Sequence, residues 1–243
     1  MKILFYGTQS YDRHSFDKEL TDYPDVSIDY TEINLTPLTA SLAQGYDAVC
    51  AFVNADASIM TLEILAGFGV KLVLMRCAGF DAVNVEAAKD LGIKVTRVPA
   101  YSPEAIAEHA MGLGLCANRR IHRGYNRIRE NDLSLVGLVG ETLHGKTAGI
   151  VGTGRIGAAL CRICKGFGMT VLGADLYPNQ KLVDEEHVVD EYVDYDELWK
   201  RSDFISLHAF LNEESYHMIN DKTIGQMKDG VILVNTGRGG LVD

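Results

Sequence analysis

No apolar run in this 243-residue chain approaches the length of a membrane span. The N-terminus, MKILFYGTQS, has one lysine and a short apolar run that turns polar at once. It reads as a first strand, since a secretory leader needs a longer apolar stretch and a cleavage site. Basic residues are outnumbered 23 to 33, for a formal charge of −10. That argues against nucleic acid as a partner, because a phosphate backbone calls for a basic face. The five cysteines are an odd number scattered among apolar neighbours. With no export signal they read as reduced thiols of a cytoplasmic protein rather than a disulfide framework. Internal repeats and low-complexity segments are missing. What is present is 47% hydrophobic and 23% charged residues, enough to bury a core, in a length that suits one large domain or two modest ones.

Short apolar runs alternate with amphipathic helical stretches. Strands are expected over Lys2–Tyr6, Ala48–Val53, Leu72–Met75 and Lys94–Val98, and helices over Ile59–Phe68 and Val85–Leu91, the latter stopped by Gly92. Such alternation implies a parallel sheet with helices on its faces, an α/β fold. Pro99 and Pro103 bracket a break, which places a domain boundary near residue 100. Next comes Pro103–Asn118, a long apolar helix whose small residues suit close packing on another helix or a second copy. RRIHRGYNRIR, residues 119–129, is locally basic. It reads as a solvated helix or interface arm in preference to a nucleic-acid face. A second series follows: strand 147–151, helix 155–167, strand 170–174, a short strand near 187–189, then strands 203–208 and 231–235.

TAGIVGTGRIG, residues 147–157, is the sharpest signal. Gly152, Gly154 and Gly157 form G-x-G-x-x-G between an apolar strand and an apolar-periodic helix. The first glycine makes the tight turn, the second lets a pyrophosphate reach the backbone, and the third lets helix and strand pack closely. Arg155 and Ile156 open the helix, whose free N–H groups and dipole favour phosphate. Asp175 ends the next strand, where a carboxylate can accept both hydroxyls of an adenosine ribose. Leu176, Tyr177 and Pro178 offer no cation to hold a 2′-phosphate, so NAD is expected over NADP. Cys161 and Cys164 make a C-x-x-C in the helix. A redox or metal pair is the alternative to core packing, and packing beside a stripe of Ile156, Leu160, Ile163 and Phe167 is the preferred reading. No metal site is expected.

SPEAIAEHAMG (102–112), NRRIHRGYNRIREN (118–131), GKTAGIVGTGRIG (145–157) and VNTGRGGLVD (234–243) together resemble the D-isomer-specific 2-hydroxyacid dehydrogenases, and within them the fermentative D-lactate dehydrogenase branch. The resemblance implies two Rossmann-like or flavodoxin-like domains: a substrate domain over 1–100 and an NAD-binding domain over 101–243, with substrate in the cleft. It implies reversible reduction of pyruvate, or a similar small 2-keto acid, to the D-2-hydroxy acid, in a homodimer. Arg238 matches the catalytic arginine, a planar cation suited to a carboxylate and able to polarise a keto oxygen. Cys77, Ala78 and Gly79 match the loop whose N–H groups hold the substrate carboxylate. Phe52 and Tyr101 match aromatic pocket positions, although on pattern alone either is equally readable as core. Thr236 and Gly237 would lie beside the nicotinamide ribose, with Gly237 departing from the usual serine. His208 would border the cofactor without donating the proton.

Reducing a ketone also needs that proton, most often from a histidine. The resemblance implies a histidine and a supporting glutamate in sequence following Asp243, together with the rest of the nucleotide sheet and a segment returning to the first domain. The second domain is therefore expected to be truncated at its C-terminal end. Glu108 and His109, adjacent in a helix, are poor substitutes for such a pair, and helix packing is the preferred reading for them. The alternative function is a non-catalytic NAD-binding or interaction protein.

Overall fold

The computed structural model describes residues 1–243, which divide into two compact units, Met1–Tyr101 and Ser102–Asp243. The first unit runs β1 (Lys2–Phe5), α1 (Ser10–Leu20), β2 (Ser27–Tyr30), β3 (Ala48–Ala51), α2 (Ile59–Gly67), β4 (Leu72–Met75), α3 (Val85–Asp90) and β5 (Lys94–Arg97). Its five strands are parallel in the order β2-β1-β3-β4-β5. β1 and β3 are buried on both faces. Leu4, Tyr6, Val49 and Ala51 meet Leu62 and Leu65 of α2 in one cluster, while Ile3, Phe5, Ala48 and Cys50 form another with Phe16 of α1. Each buried leucine, isoleucine, valine or phenylalanine among these contributes about 1.5–3 kcal/mol on burial. Continuous apolar runs are what two-sided burial demands of a parallel strand. Asn84 caps α3 by accepting from Ala87 N at 2.9 Å, and Gly92 ends its turn at φ +69°.

The second unit runs α4 (Pro103–Arg119), α5 (Ile121–Arg129), β6 (Thr147–Val151), α6 (Arg155–Gly166), β7 (Thr170–Ala174), α7 (Lys181–Asp184), β8 (Glu191–Tyr192), α8 (Tyr195–Arg201), β9 (Phe204–Leu207), α9 (Asp221–Ile224) and β10 (Ile232–Asn235). Its parallel sheet has the order β10-β9-β6-β7-β8. Ala148, Ile150, Val171 and Phe204 pack under α4 and α6. Val151, Ile205 and Leu207 pack on the other face with Leu198 and Trp199 of α8. α4 begins with Pro103 just after Ser102, whose hydroxyl accepts from Ala105 N at 3.2 Å. Ala107, Ala110 and Gly114 pack inside this unit, where a side chain at Gly114 would put a Cβ 2.4 Å from the Phe204 ring, while Ala105, Gly112 and Ala117 stay exposed.

Several expectations need correcting. The short strand lies at Glu191–Tyr192, not near 187–189. Val189 is buried in the core, and the ladder with β7 starts only at Glu191. α1 and β2 went unpredicted because α1 buries no residue fully and β2 alternates exposed with half-buried residues at the sheet edge. The buried face of α6 is centred on Gly157, Leu160, Cys161 and Cys164; of the stripe expected, Leu160 is buried, Ile156 and Ile163 are half-buried, and Phe167 is 38% exposed. Cys161 and Cys164 are both fully buried. Burial pushes both thiols up, Cys164 to about 12, so neither ionises near neutrality to serve redox or metal chemistry. Glu108 and His109 are exposed on α4 rather than packed. α5 is a solvated basic helix with no buried residue.

Candidate functional site

Each sheet reverses its winding direction once, and the loops that carry the candidate residues leave the carboxyl ends of strands. Open α/β sheets bind ligands in the crevice at such a reversal. In the second unit the reversal lies between β6 and β9. Gly152 follows β6 at φ +85°, where a Cβ would stand 2.7 Å from the backbone carbonyl of His208, which follows β9. At Gly157 a Cβ would meet the carbonyl oxygen of Gly152 at 2.0 Å. At Gly154, which caps the twelve-residue α6, a Cβ would meet nothing within 4 Å, so the space over that backbone is open. The N–H groups of Gly154, Arg155 and Ile156 donate to no protein acceptor. Arg155 is exposed and has no acidic partner. The three glycines thus divide their work: two are forced by backbone contact, and one leaves room for an anion at a helix N-terminus.

Asp175 immediately follows β7. Its Oδ2 accepts from Thr153 N at 2.6 Å and Thr153 Oγ1 at 3.0 Å, and its Oδ1 accepts from Tyr177 N at 2.9 Å. The carboxylate is anchored to the glycine loop instead of being free at both oxygens as the sequence suggested. Gly152, Gly154, Asp175, Tyr177 and His208 line one cavity of about 610 Å³, a size usual for small-molecule sites. His208 Nε2 lies 3.0 Å from Ser206 Oγ, and burial pulls its pKa down to about 4. At neutral pH it is an uncharged imidazole. Beyond β10, the side chain of Asn235 holds the turn, accepting from Gly237 N at 2.9 Å and donating to Arg238 O at 2.9 Å. Thr236 Oγ1 is buried without a hydrogen-bond partner, which leaves a polar atom for a bound molecule. Arg238 is half-buried and Gly237 exposed. These residues fit NAD: an open phosphate turn, a carboxylate at the next strand end, an uncharged histidine, and an unsatisfied hydroxyl.

In the first unit, Phe52 follows β3 and Cys77, Ala78 and Gly79 follow β4. Phe52 is 37% exposed and Tyr101 67% exposed, so neither is core. Cys77 Sγ lies 3.2 Å from Gly79 O, and Arg97 Nη1 donates to Ala78 O at 2.9 Å. The N–H groups of Ala78 and Gly79 donate to no protein acceptor. The sequence reading missed Arg76. Its guanidinium lies over the rings of Phe5 and Phe52 at 4.4 and 4.8 Å, donates to Tyr6 O and Gly7 O at 3.0 and 2.8 Å, and faces Asp12 at 3.6 Å. The available signal was a cation directly after a buried strand. It also missed Tyr192, whose hydroxyl lies 2.9 Å from Thr153 Oγ1.

The family model for the D-isomer specific 2-hydroxyacid dehydrogenase NAD binding domain matches residues 111–243. D-lactate dehydrogenase of Escherichia coli is 48% identical over 243 residues, all of this chain and 73% of that protein. A 2-hydroxyacid dehydrogenase homolog of Haemophilus influenzae is 47% identical over all of this chain and 72% of its own length. The apo-structure of the Escherichia coli D-lactate dehydrogenase superposes with a TM-score of 0.91 at 49% identity, over 100% of this chain and 76% of that one. D-lactate dehydrogenase from Aquifex aeolicus, complexed with NAD and lactic acid, superposes with a TM-score of 0.84 at 32% identity, over 99% of this chain and 70% of that one. The chain belongs to the D-isomer-specific 2-hydroxyacid dehydrogenases, oxidoreductases that use NAD as cofactor.

Proposed function

We propose that this protein interconverts a small 2-keto acid, pyruvate first, with its D-2-hydroxy acid. The observation that carries this reading is that an anchored carboxylate, Asp175, and a cation, Arg238, each follow the carboxyl end of a strand in the same parallel sheet. NADH supplies the hydride when bound. Gly154, Arg155 and Ile156 present N–H groups to its phosphates, Asp175 takes its adenosine ribose, and Thr236 and Gly237 meet its nicotinamide ribose. Arg238 binds the substrate carboxylate and polarises the keto oxygen, a task suited to a planar, permanently charged donor. Within the first unit, the free N–H groups of Ala78 and Gly79, beside Cys77, suit a carboxylate, and Phe52 and Tyr101 would limit the size of a substituent.

In this reading the proton comes from a histidine and glutamate outside residues 1–243. Two observations support it. His208 is uncharged at neutral pH and occupied by Ser206, and His109 is exposed with no hydrogen bond or ion pair to Glu108. We also propose that the protein is a cytoplasmic homodimer. No helix is long and apolar enough to cross a membrane. Ile128, Leu133, Leu135, Val136 and Val139 are exposed on and after α5, and Arg127 ties that loop to the helix through Ser134 O and Val136 O. So many large apolar side chains left exposed along one stretch of chain suit an interaction surface.

The test is NADH oxidation with pyruvate and longer 2-keto acids. Arg238→Gln is expected to lower kcat/KM by about 10²–10³-fold. The 1–243 polypeptide alone is expected to be slower by about 10²–10⁴-fold than a chain carrying the histidine–glutamate pair. Turnover within tenfold would mean that a residue inside 1–243 donates the proton.

A further inference from the structure

We propose that Thr153 and Tyr192 are positioning residues that set the preference for NAD over its 2′-phosphorylated form, by locking the Asp175 carboxylate through a one-way hydrogen-bond chain. The inference rests on the reading of Asp175 as the ribose acceptor.

The direction of the chain follows from donor counts. An ionised carboxylate only accepts, and a hydroxyl has one proton. Thr153 Oγ1 lies 3.0 Å from Asp175 Oδ2 and 2.9 Å from Tyr192 Oη. The Thr153 proton therefore goes to Asp175, and the Tyr192 proton goes to Thr153, the nearer of its two acceptors, the other being Asn179 O at 3.4 Å. Tyr192 Oη in turn accepts from Asn179 N at 3.2 Å. The chain runs Asn179 N–H, Tyr192 O–H, Thr153 O–H, Asp175 carboxylate. It joins the loop before α7, strand β8, the glycine turn after β6 and the end of β7.

Two consequences follow for the carboxylate. Oδ2 has both lone-pair positions taken, by Thr153 N and Thr153 Oγ1. Oδ1 accepts from Tyr177 N and keeps one position, so a ribose hydroxyl is directed to that oxygen. The carboxylate also cannot swing aside without breaking bonds to Thr153, which is 4% exposed. A 2′-phosphate would thus meet a negative charge held in place.

Gly173 provides an independent observation. It pairs with Tyr192 in the β7–β8 ladder. A Cβ there would lie 2.8 and 3.0 Å from two carbons of the Tyr192 ring and 3.2 Å from the Thr153 methyl. The absence of a side chain at 173 makes room for these two residues to stand side by side. A substitution at Gly173 touches no polar atom of the chain yet displaces both of its hydroxyls.

The experiment is calorimetric titration of the whole protein with NADH and, separately, NADPH. Thr153→Val keeps the backbone donor and removes the hydroxyl. It is expected to weaken NADH about tenfold, the loss of one charge-assisted hydrogen bond, while NADPH changes less and the preference narrows. Thr153→Ser is expected to restore both. Tyr192→Phe is expected to weaken NADH about threefold in the parent protein and to add nothing in Thr153→Val, because Tyr192 acts through Thr153. A preference ratio unchanged in Thr153→Val, or independent effects of the two substitutions, would overturn the proposal. A merely structural role would shift melting temperature and leave the ratio alone. Asp175→Ala is the control: if it leaves the ratio unchanged, the ribose reading itself fails, apart from the relay.

Discussion

His208 should make the second unit acid-sensitive by a calculable amount. It follows the buried strand β9, bonds Ser206, and has its pKa lowered from 6.5 to about 4 by burial. Between those values the unfolded chain binds a proton that the folded state refuses, so stability falls as pH drops through that window. The full difference corresponds to about 3 kcal/mol, and at pH 5 about 2 kcal/mol has already been lost. Carboxylates contribute further loss at lower pH, so the comparison to make is with His208→Gln. Trp199 is the only tryptophan and is buried in the second unit's core. Its fluorescence follows the unfolding of that unit in urea. Between about pH 7.5 and pH 5 the parent should lose about 2 kcal/mol more than His208→Gln does. Equal losses would refute the reasoning, as would an imidazole resonance of His208 titrating at or above 6.5. The same neutrality removes His208 from the list of acids able to protonate a ketone near pH 7.

Asp175→Ala should weaken NADH by about 10- to 100-fold, narrow its advantage over NADPH, and cost about 1–3 kcal/mol of stability by orphaning the buried Thr153 N–H; equal binding of the two cofactors by the parent protein would sink the assignment. Thiol titration of the native protein should find Cys116 reactive and Cys50, Cys77, Cys161 and Cys164 protected, because only Cys116 is not buried. Fast labelling of Cys161 or Cys164 would show that α6 opens readily. Light scattering at tens of micromolar protein should give a dimer mass, and Leu135→Asp should shift it toward monomer. A strictly monomeric parent would leave the exposed residues after α5 without this explanation.

What the sequence determined by itself was local and periodic. Strands 72–75, 147–151 and 170–174 appear where their apolar runs stand, because burial on both faces of a parallel sheet requires such runs. The glycine turn and Asp175 were legible because a tight turn, an open helix end and a carboxylate one strand later are short-range patterns. Edge elements were not legible: β2 and α1 bury too little to leave a periodic mark, and Val189 is apolar for the core, not for a strand. Only the tertiary structure decided which side of α6 faces inward, that Arg76 spans the ends of β1, β3 and β4, and that His208 is uncharged. It alone brought Tyr192 to Thr153, 39 residues away in the chain, and so settled how the Asp175 carboxylate is held. Hydrogen bonds between distant strands depend on sheet order and register, which residue periodicity does not encode.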